Sequence, residues 1–392
     1  MKKTKLLVIN YAGDYKEAYD SLNNGGQENY HAQRYSVNFL GELIKKNILV
    51  TTIVCLTEIY YDEILDNGVR AIGMGVDTPD ETAVWKKIKE IEPTHIIFTS
   101  PFLKLIFKSL FKNFKIILVL ADSFQNETLK QKLKANLIKF IFNNKSIEWV
   151  GNHNLNSCLS LKKIGINLNK IIPWDWPHYL SPKDFYPKKH PKKNDWNLIF
   201  VGYVTQEKGV GDIIQAISEL NNLGVNLNIN IVGKGDLNTF IKLTESLNVV
   251  KQVRFMGLVD NKEIIGLMRD ADLVIIPSHH EYPEGLPLTI YEALTSRTPI
   301  IASNHPMFSG KLVNKESALI YEAKKVDHLK SAINEMINNS NLYENLSLNS
   351  ENAWNNLQIP VKYGQLVSAW LENSTKSQAY LSSYSLKNGS YK

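Results

Sequence analysis

The chain has 392 residues, 44% hydrophobic and 21% charged, too long for one ordinary core and suited to two soluble domains of about 150 to 200 residues each. A net charge of +6 is too small to imply nucleic acid and fits anionic ligands or an anionic surface. No run approaches the ~20 apolar residues of a membrane span, and two lone cysteines, Cys55 and Cys158, allow neither a disulfide framework nor a metal cluster and fit a reducing cytoplasm.

The start, MKKTKLLVINYAGDY, places lysines before an apolar stretch as a signal peptide does. The stretch is short and ends at Asn10 and Asp14, so it reads as a first buried strand. Further Ile/Val-rich runs at 49–56, 95–99, 115–120 and 147–151 alternate with helical patterns such as 28–46 and 82–91. That alternation predicts a parallel sheet covered by helices. After the first strand, the loop at 23–35 places Gly25 and Gly26 just before a helix. Glycines there let a backbone approach a ligand closely, or simply make a turn, and spacing alone leaves the two readings level.

Residues 102–115, FLKLIFKSLFKNFK, run from Phe102 to Lys115 and carry Lys104, Lys108, Lys112 and Lys115 among an apolar arc wider than one core-facing stripe requires. A basic amphipathic helix of this kind can lie on an anionic membrane, with the lysines of 129–142 adding charge nearby in sequence. A sheet-covering helix with solvated lysines is the equal alternative. Between Ile172 and Asn197 the regularity fails: five prolines and a lysine cluster mark an interdomain linker. The α/β pattern then restarts, with strand runs at 198–201, 227–232, 253–256, 273–277 and 299–302. The final residues, 373–392, are rich in Ser, Tyr, Asn and Lys, show no periodicity, and are expected to be mobile.

Three loops of the second half carry chemistry. In FVGYVTQEKG, a strand end and a glycine turn lead to Lys208 opening a helix. A lysine at a helix start opposes the dipole, which suggests an anion partner, with a solvated surface lysine as the equal alternative. IVGKGD holds Gly233 and Gly235 after a strand, but the third glycine of a dinucleotide fingerprint is missing, so a nicotinamide enzyme is the weaker reading. The third stretch, SHHEYPEGLPLTIYEAL, brackets seven residues between Glu284 and Glu292 and runs from a Gly/Pro loop into a helix. Eight residues apart on a helix lie near one face, so both acids are expected to border one cavity beside a phosphate-binding helix start. His279, His280 and His305 match no zinc spacing.

The order FVGYVTQEKG, IVGKGD, VRFMGLVDNKEI, ADLVIIPS, EGLPLTIYEAL resembles that of the retaining GT-B glycosyltransferases marked by two glutamates separated by seven residues, the glycosyl transferases group 1. The resemblance is strongest over 198–307, with Gly25, Gly26 and KDFYP of the linker as weaker marks. It implies an α/β fold of two Rossmann-like doubly wound domains facing across a cleft: 1–175 for the acceptor, a linker at 176–197, 198–356 for the donor, and a helix at 357–372 crossing back to the first domain. It further implies transfer of a sugar from a nucleotide diphosphate sugar to a hydroxyl acceptor, a glycan or lipid-linked sugar, with no metal and no other cofactor. Glu284 would hold donor-sugar hydroxyls and Glu292 the ribose, while backbone N–H groups of Gly285, Leu286, Pro287's neighbour Leu288 and the loop around Pro287 take the diphosphate with Lys208. Gly25, Gly26, Gly202, Tyr203 and Gly233 would line the donor, and Val259 would lie beside the base. Two departures stand out: Tyr203 occupies a position where arginine is usual, and Ala121-Asp122 replaces a His-Asp pair, leaving Asp122 as the acceptor-side mark. The expected setting is cytoplasmic, peripheral at the inner membrane face. A non-catalytic sugar- or nucleotide-binding scaffold on the same fold is the alternative.

Overall fold

A computed structural model describes residues 3–28, 31–282, 284 and 286–391. The chain divides into two compact units. The first comprises Met1–Glu28, Ala32–Pro177 and Ile359–Lys392; the second is His178–Gln358 together with a short piece at His31.

Among the described residues the first unit holds eight strands: β1 Lys5–Asn10, β2 Leu49–Val54, β3 Tyr60–Ile64, β4 Arg70–Met74, β5 His95–Phe98, β6 Lys115–Leu120, β7 Ile147–His153 and β8 Ile171–Trp174. They form one sheet in the order β3-β4-β2-β1-β5-β6-β7-β8, parallel except where β3 runs against β4. Leu6 and Val8 of β1 enter one apolar cluster and Leu7 and Ile9 the other. Side chains alternate across a strand, so a sheet buried on both faces reads as an unbroken apolar run.

The second unit repeats this logic with six strands: β9 Asp195–Val201, β10 Asn226–Val232, β11 Val253–Gly257, β12 Leu273–Ile276, β13 Ile300–Ser303 and β14 Leu319–Tyr321. Their order is β11-β10-β9-β12-β13-β14 and every pairing is parallel. Leu198 and Phe200 face one cluster, Ile199 the other.

Four expectations change. The loop carrying Gly25 and Gly26 does not follow β1 directly, because a helix, Tyr15–Asn23, intervenes. Gly25 takes a left-handed φ of 78°, and the Gly26 N–H donates to Ser21 O at 2.7 Å. That is a Schellman helix stop, which glycine alone makes without strain. Residues 102–115 are not one helix: Leu103–Ser109 is helical, and Lys115 opens β6 by pairing with His95 of β5. Ile171, Ile172 and Pro173, at the expected linker, lie in β8, whose place at the sheet edge tolerates a proline. Finally, the expected mobile tail contains a helix, Thr375–Ser383, capped by Ser374. Leu381 is fully buried in the first unit's core, and the Leu386 N–H donates to Ile171 O at 2.7 Å. The serines that suggested disorder are cap and turn formers here. The β3–β4 hairpin was invisible in the sequence because YYDEI mixes polar and apolar residues at an exposed edge; the Arg70 guanidinium bridges its strands by gripping Asp62 at 2.7 and 2.9 Å.

A buried Leu381 makes a direct test. Leu381→Ala is expected to lower unfolding free energy by about 2–5 kcal/mol in a denaturant titration, whereas a mobile tail would leave the midpoint unchanged.

Candidate functional site

In a doubly wound sheet, ligands bind beyond the carboxyl ends of the strands, where strand order reverses. In the second unit that reversal lies between β9 and β12, neighbours in the sheet whose chain connections leave in opposite directions. Lys208 follows β9 and Glu284 follows β12, so the two loops at the switch point each carry one of the predicted residues. They meet: the Lys208 ammonium pairs with Glu284 Oε1, with side chains only 12% and 7% exposed. The Ser278 hydroxyl donates to the same carboxylate oxygen at 2.7 Å, and the Tyr282 ring lies 4.4 Å below the ammonium, a cation–π contact in a largely desolvated place.

The surroundings hold this pair in place. The His279 N–H donates to Glu207 O at 2.8 Å, which ties the β12 loop to the β9 loop. His279 Nε2 donates to Asp212 Oδ2 at 2.8 Å, in the first turn of the helix Val210–Asn222. The Ser303 hydroxyl donates to Ser278 O at 2.6 Å. His305 Nδ1 accepts from the Met307 N–H, so its Nε2 carries the proton and donates to Tyr282 O at 3.1 Å. Burial lowers the basicity of His305, keeping it in this neutral form. Burial also raises the Tyr282 phenol, with the Glu284 charge adding to the effect.

The helix that follows runs Leu288–Ser296, with Pro287 at its N-cap and no side-chain cap. The Ile290 N–H turns back to Pro287 O at 3.0 Å, and no side chain among the described residues caps the N–H groups ahead of it. Glu284 is in the loop ahead of that helix, so the expectation that both acids share one helix face is corrected: the loop, not helical periodicity, brings Glu284 to the site. Leu286 is buried in a core cluster with Ile290, and Val259 packs against the same cluster. Pro283 and Gly285 lie outside the described residues. Glu292 is in the helix, 7% exposed, and accepts from Asn261 Nδ2 at 2.9 Å. Burial pushes its carboxyl up to about 7, against the opposing pull of Asn261.

The glycines of the β9 and β10 loops have a packing role. The Gly202 N–H donates to Val232 O at 3.0 Å and the Val204 N–H to Lys234 O at 2.8 Å. A Cβ at Gly233 would stand 1.8 Å from Gly202 O, and one at Gly235 would stand 2.2 Å from Val204 O. Backbone lies on backbone there, which only glycine permits. Tyr203, between them, is 49% exposed.

In the first unit, Asp122 follows β6 and exchanges hydrogen bonds with Asn152 of β7: its N–H donates to Asn152 Oδ1 at 3.2 Å, and Asn152 Nδ2 donates to Asp122 O at 2.8 Å. Burial raises the Asp122 carboxyl above its usual range, opposed by Lys134. At the same carboxyl edge, the buried His153 contacts Asp175 at 3.0 Å. Neither His153 nor Asp175 belongs to a local motif; only the parallel pairing of β7 and β8 brings them together.

The family pattern described as "Glycosyl transferases group 1" matches residues 182–353. Glycogen synthase of Mycobacterium tuberculosis is 27% identical over 178 residues, 45% of this chain and 40% of that protein. An uncharacterized glycosyltransferase of Methanocaldococcus jannaschii is 30% identical over 146 residues, 36% of each. The chain thus spans less than half the length of these relatives. Two solved structures share its architecture: Anabaena HepE in complex with UDP, with a TM-score of 0.63 at 14% identity over 95% of this chain and all of that one, and sucrose-phosphate synthase from Thermosynechococcus elongatus, with 0.68 at 16% over the same shares. Two parallel-sheet α/β domains with these neighbours make the fold GT-B.

The Glu292 carboxyl gives a pH test. Below about 4.5, its ordinary value, folded and unfolded chains both hold the proton; between there and about 7 only the folded chain does. The wild type is therefore expected to lose roughly 3 kcal/mol of stability relative to Glu292→Gln as pH rises through that window. Denaturation curves of the two proteins that stayed parallel across it would contradict the assignment.

Proposed function

We propose that this chain, a member of the glycosyl transferases group 1 family through residues 182–353, transfers a sugar from a nucleotide diphosphate sugar to a hydroxyl acceptor with retention at the anomeric carbon. The observation that carries the reading is the buried Lys208–Glu284 pair beside an uncapped helix start. A sugar diphosphate offers neutral hydroxyls at one end and anionic phosphates at the other. Its sugar hydroxyls would donate to Glu284 while its diphosphate takes Lys208 and the N–H groups of Leu286, Leu288 and their neighbours. Each buried charge exchanges one partner for another, so neither is left unpaired.

Catalysis then requires little covalent chemistry. As the glycosidic C–O bond breaks, negative charge grows on the diphosphate, where Lys208 and the helix start are already directed. Such preorganised stabilisation of a developing charge supplies much of an enzyme's rate. The acceptor hydroxyl attacks from the face the diphosphate leaves, and a phosphate oxygen takes its proton. Lys208 does the neutralising that a divalent ion does in other transferases. Glu292 and Asn261 would hold the ribose hydroxyls, with Val259 beside the base, and the Asp122–Asn152 edge of the first unit would serve the acceptor. UDP and UDP-glucose appear with HepE, which supports a nucleotide-sugar donor without selecting the base or sugar for this chain.

A panel of nucleotide sugars and acceptors provides the test. Glu284→Gln and Lys208→Ala are each expected to lower sugar transfer about 10²-fold or more, the usual effect of losing one transition-state contact. Transfer within about twofold of wild type in both variants would refute the mechanism. A thermal shift with nucleotide sugars but no turnover would instead favour the scaffold reading, which the exposed Tyr203 motivates.

A further inference from the structure

The helix Leu129–Phe142 carries two apolar faces, one buried and one exposed. Ala135, Ile138, Ile141 and Phe142 are 6%, 2%, 1% and 0% exposed and close the first unit's core. Leu129, Leu133, Leu137 and Phe140 are 81%, 73%, 48% and 66% exposed. At about 100° per residue these four fall within an arc of roughly 80°, distinct from the core-facing arc of roughly 120°. Covering the sheet needs one apolar stripe; the second does nothing for the unit's own packing.

Charge tells what the second stripe faces. By the same helical spacing, Lys130 and Lys134 border it on one side and Lys132 and Lys139 on the other, all four exposed, and the helix LKQKLKANLIKFIF contains no acidic residue. The neighbouring helix Leu103–Ser109 packs beside it and adds Phe107 and, just past its end, Phe111, which are 39% and 73% exposed. A second copy of this chain laid on the stripe would bring lysine against lysine. A bilayer bearing anionic phospholipid is complementary: leucine and phenylalanine enter the headgroup–acyl boundary while lysine stems run up to the phosphates.

We propose that the outward face of Leu129–Phe142 docks this protein onto an anionic phospholipid bilayer, with the helix lying in the plane of the interface. The helix is about 21 Å long, shorter than a bilayer core, so it rests on the surface; among the described residues no helix is long and apolar enough to cross a membrane. The surface belongs to the first unit and stands independently of the transfer reaction. It also moves the membrane contact expected for residues 102–115 onto a different helix.

Flotation with phosphatidylcholine vesicles, with and without phosphatidylglycerol, tests it. Wild type is expected to float only with the anionic vesicles. Leu133→Glu with Phe140→Glu, and separately Lys130, Lys132, Lys134 and Lys139→Gln, are each expected to cut the bound fraction about tenfold or more. All six positions are exposed, so circular dichroism should match wild type. Phe140→Trp should shift its emission to shorter wavelength with anionic vesicles alone. Absence of wild-type binding, binding that both multiple variants retain, or a lipid-free dimer that Leu133→Glu with Phe140→Glu dissociates would overturn the proposal, the last in favour of a second copy.

Discussion

Two ionised side chains taken out of water are tolerated only if each satisfies the other, because desolvation costs several kcal/mol per ion. The Lys208–Glu284 pair imposes that condition on the second unit, and much of the local structure meets it. Gly209 adopts a left-handed φ of 75° directly after Lys208, where a Cβ would stand 2.4 Å from Pro277 O. The chain after β9 can thus turn into its helix while pressed against the end of β12. His279, fastened to both Glu207 and Asp212, fixes the start of the loop that delivers Glu284. The arrangement belongs to two strands adjacent in the sheet but well separated in sequence, β9 ending at Val201 and β12 beginning at Leu273.

Glu292 represents a different compromise. Its carboxyl is buried with Asn261 as its hydrogen-bonding partner and, among the described residues, no cation beside it, and its charged form is disfavoured accordingly. Its neighbours Ile290, Tyr291, Ala293 and Leu294 are all core residues, and an apolar side chain would be the stable choice. A position that breaks the rule of its own helix is where function is expected to override packing.

Much of this was legible from the residues. Strands buried on both faces announced themselves as apolar runs; Lys208 and Glu284 stood out as charges beside glycine, and Glu292 by its spacing of seven intervening residues from Glu284. What escaped depends on partners distant in the chain. Gly233 looked like half of a nucleotide fingerprint, whereas Gly202 O occupies the space a side chain would need. Gly25 and Gly26 read equally as a cleft wall or a turn, and they terminate a helix that the sequence pattern did not reveal. The lysines of Leu129–Phe142 were visible at once; which of its two apolar faces the sheet would cover was not, since both have helical spacing. The Ser-rich tail illustrates the limit of composition, because one leucine, Leu381, reaches a core that also draws on strands as early in the chain as β1, through Leu6 and Val8.

The first unit is therefore discontinuous in the chain, interrupted after Pro177 and resumed at Ile359. Val361, Leu366, Val367 and Trp370 are fully buried among side chains from β1, β6 and β8, and the Trp370 indole donates to Glu148 at 2.6 Å. During synthesis from the amino end, that core waits for its last members while His178–Gln358, nearly all of the second unit, emerges as one unbroken stretch. The later-made unit can finish folding before the earlier-made one, reversing the usual amino-first order. Until then an open apolar sheet face must be kept from aggregating, a demand on the cell's chaperones that follows from chain connectivity alone.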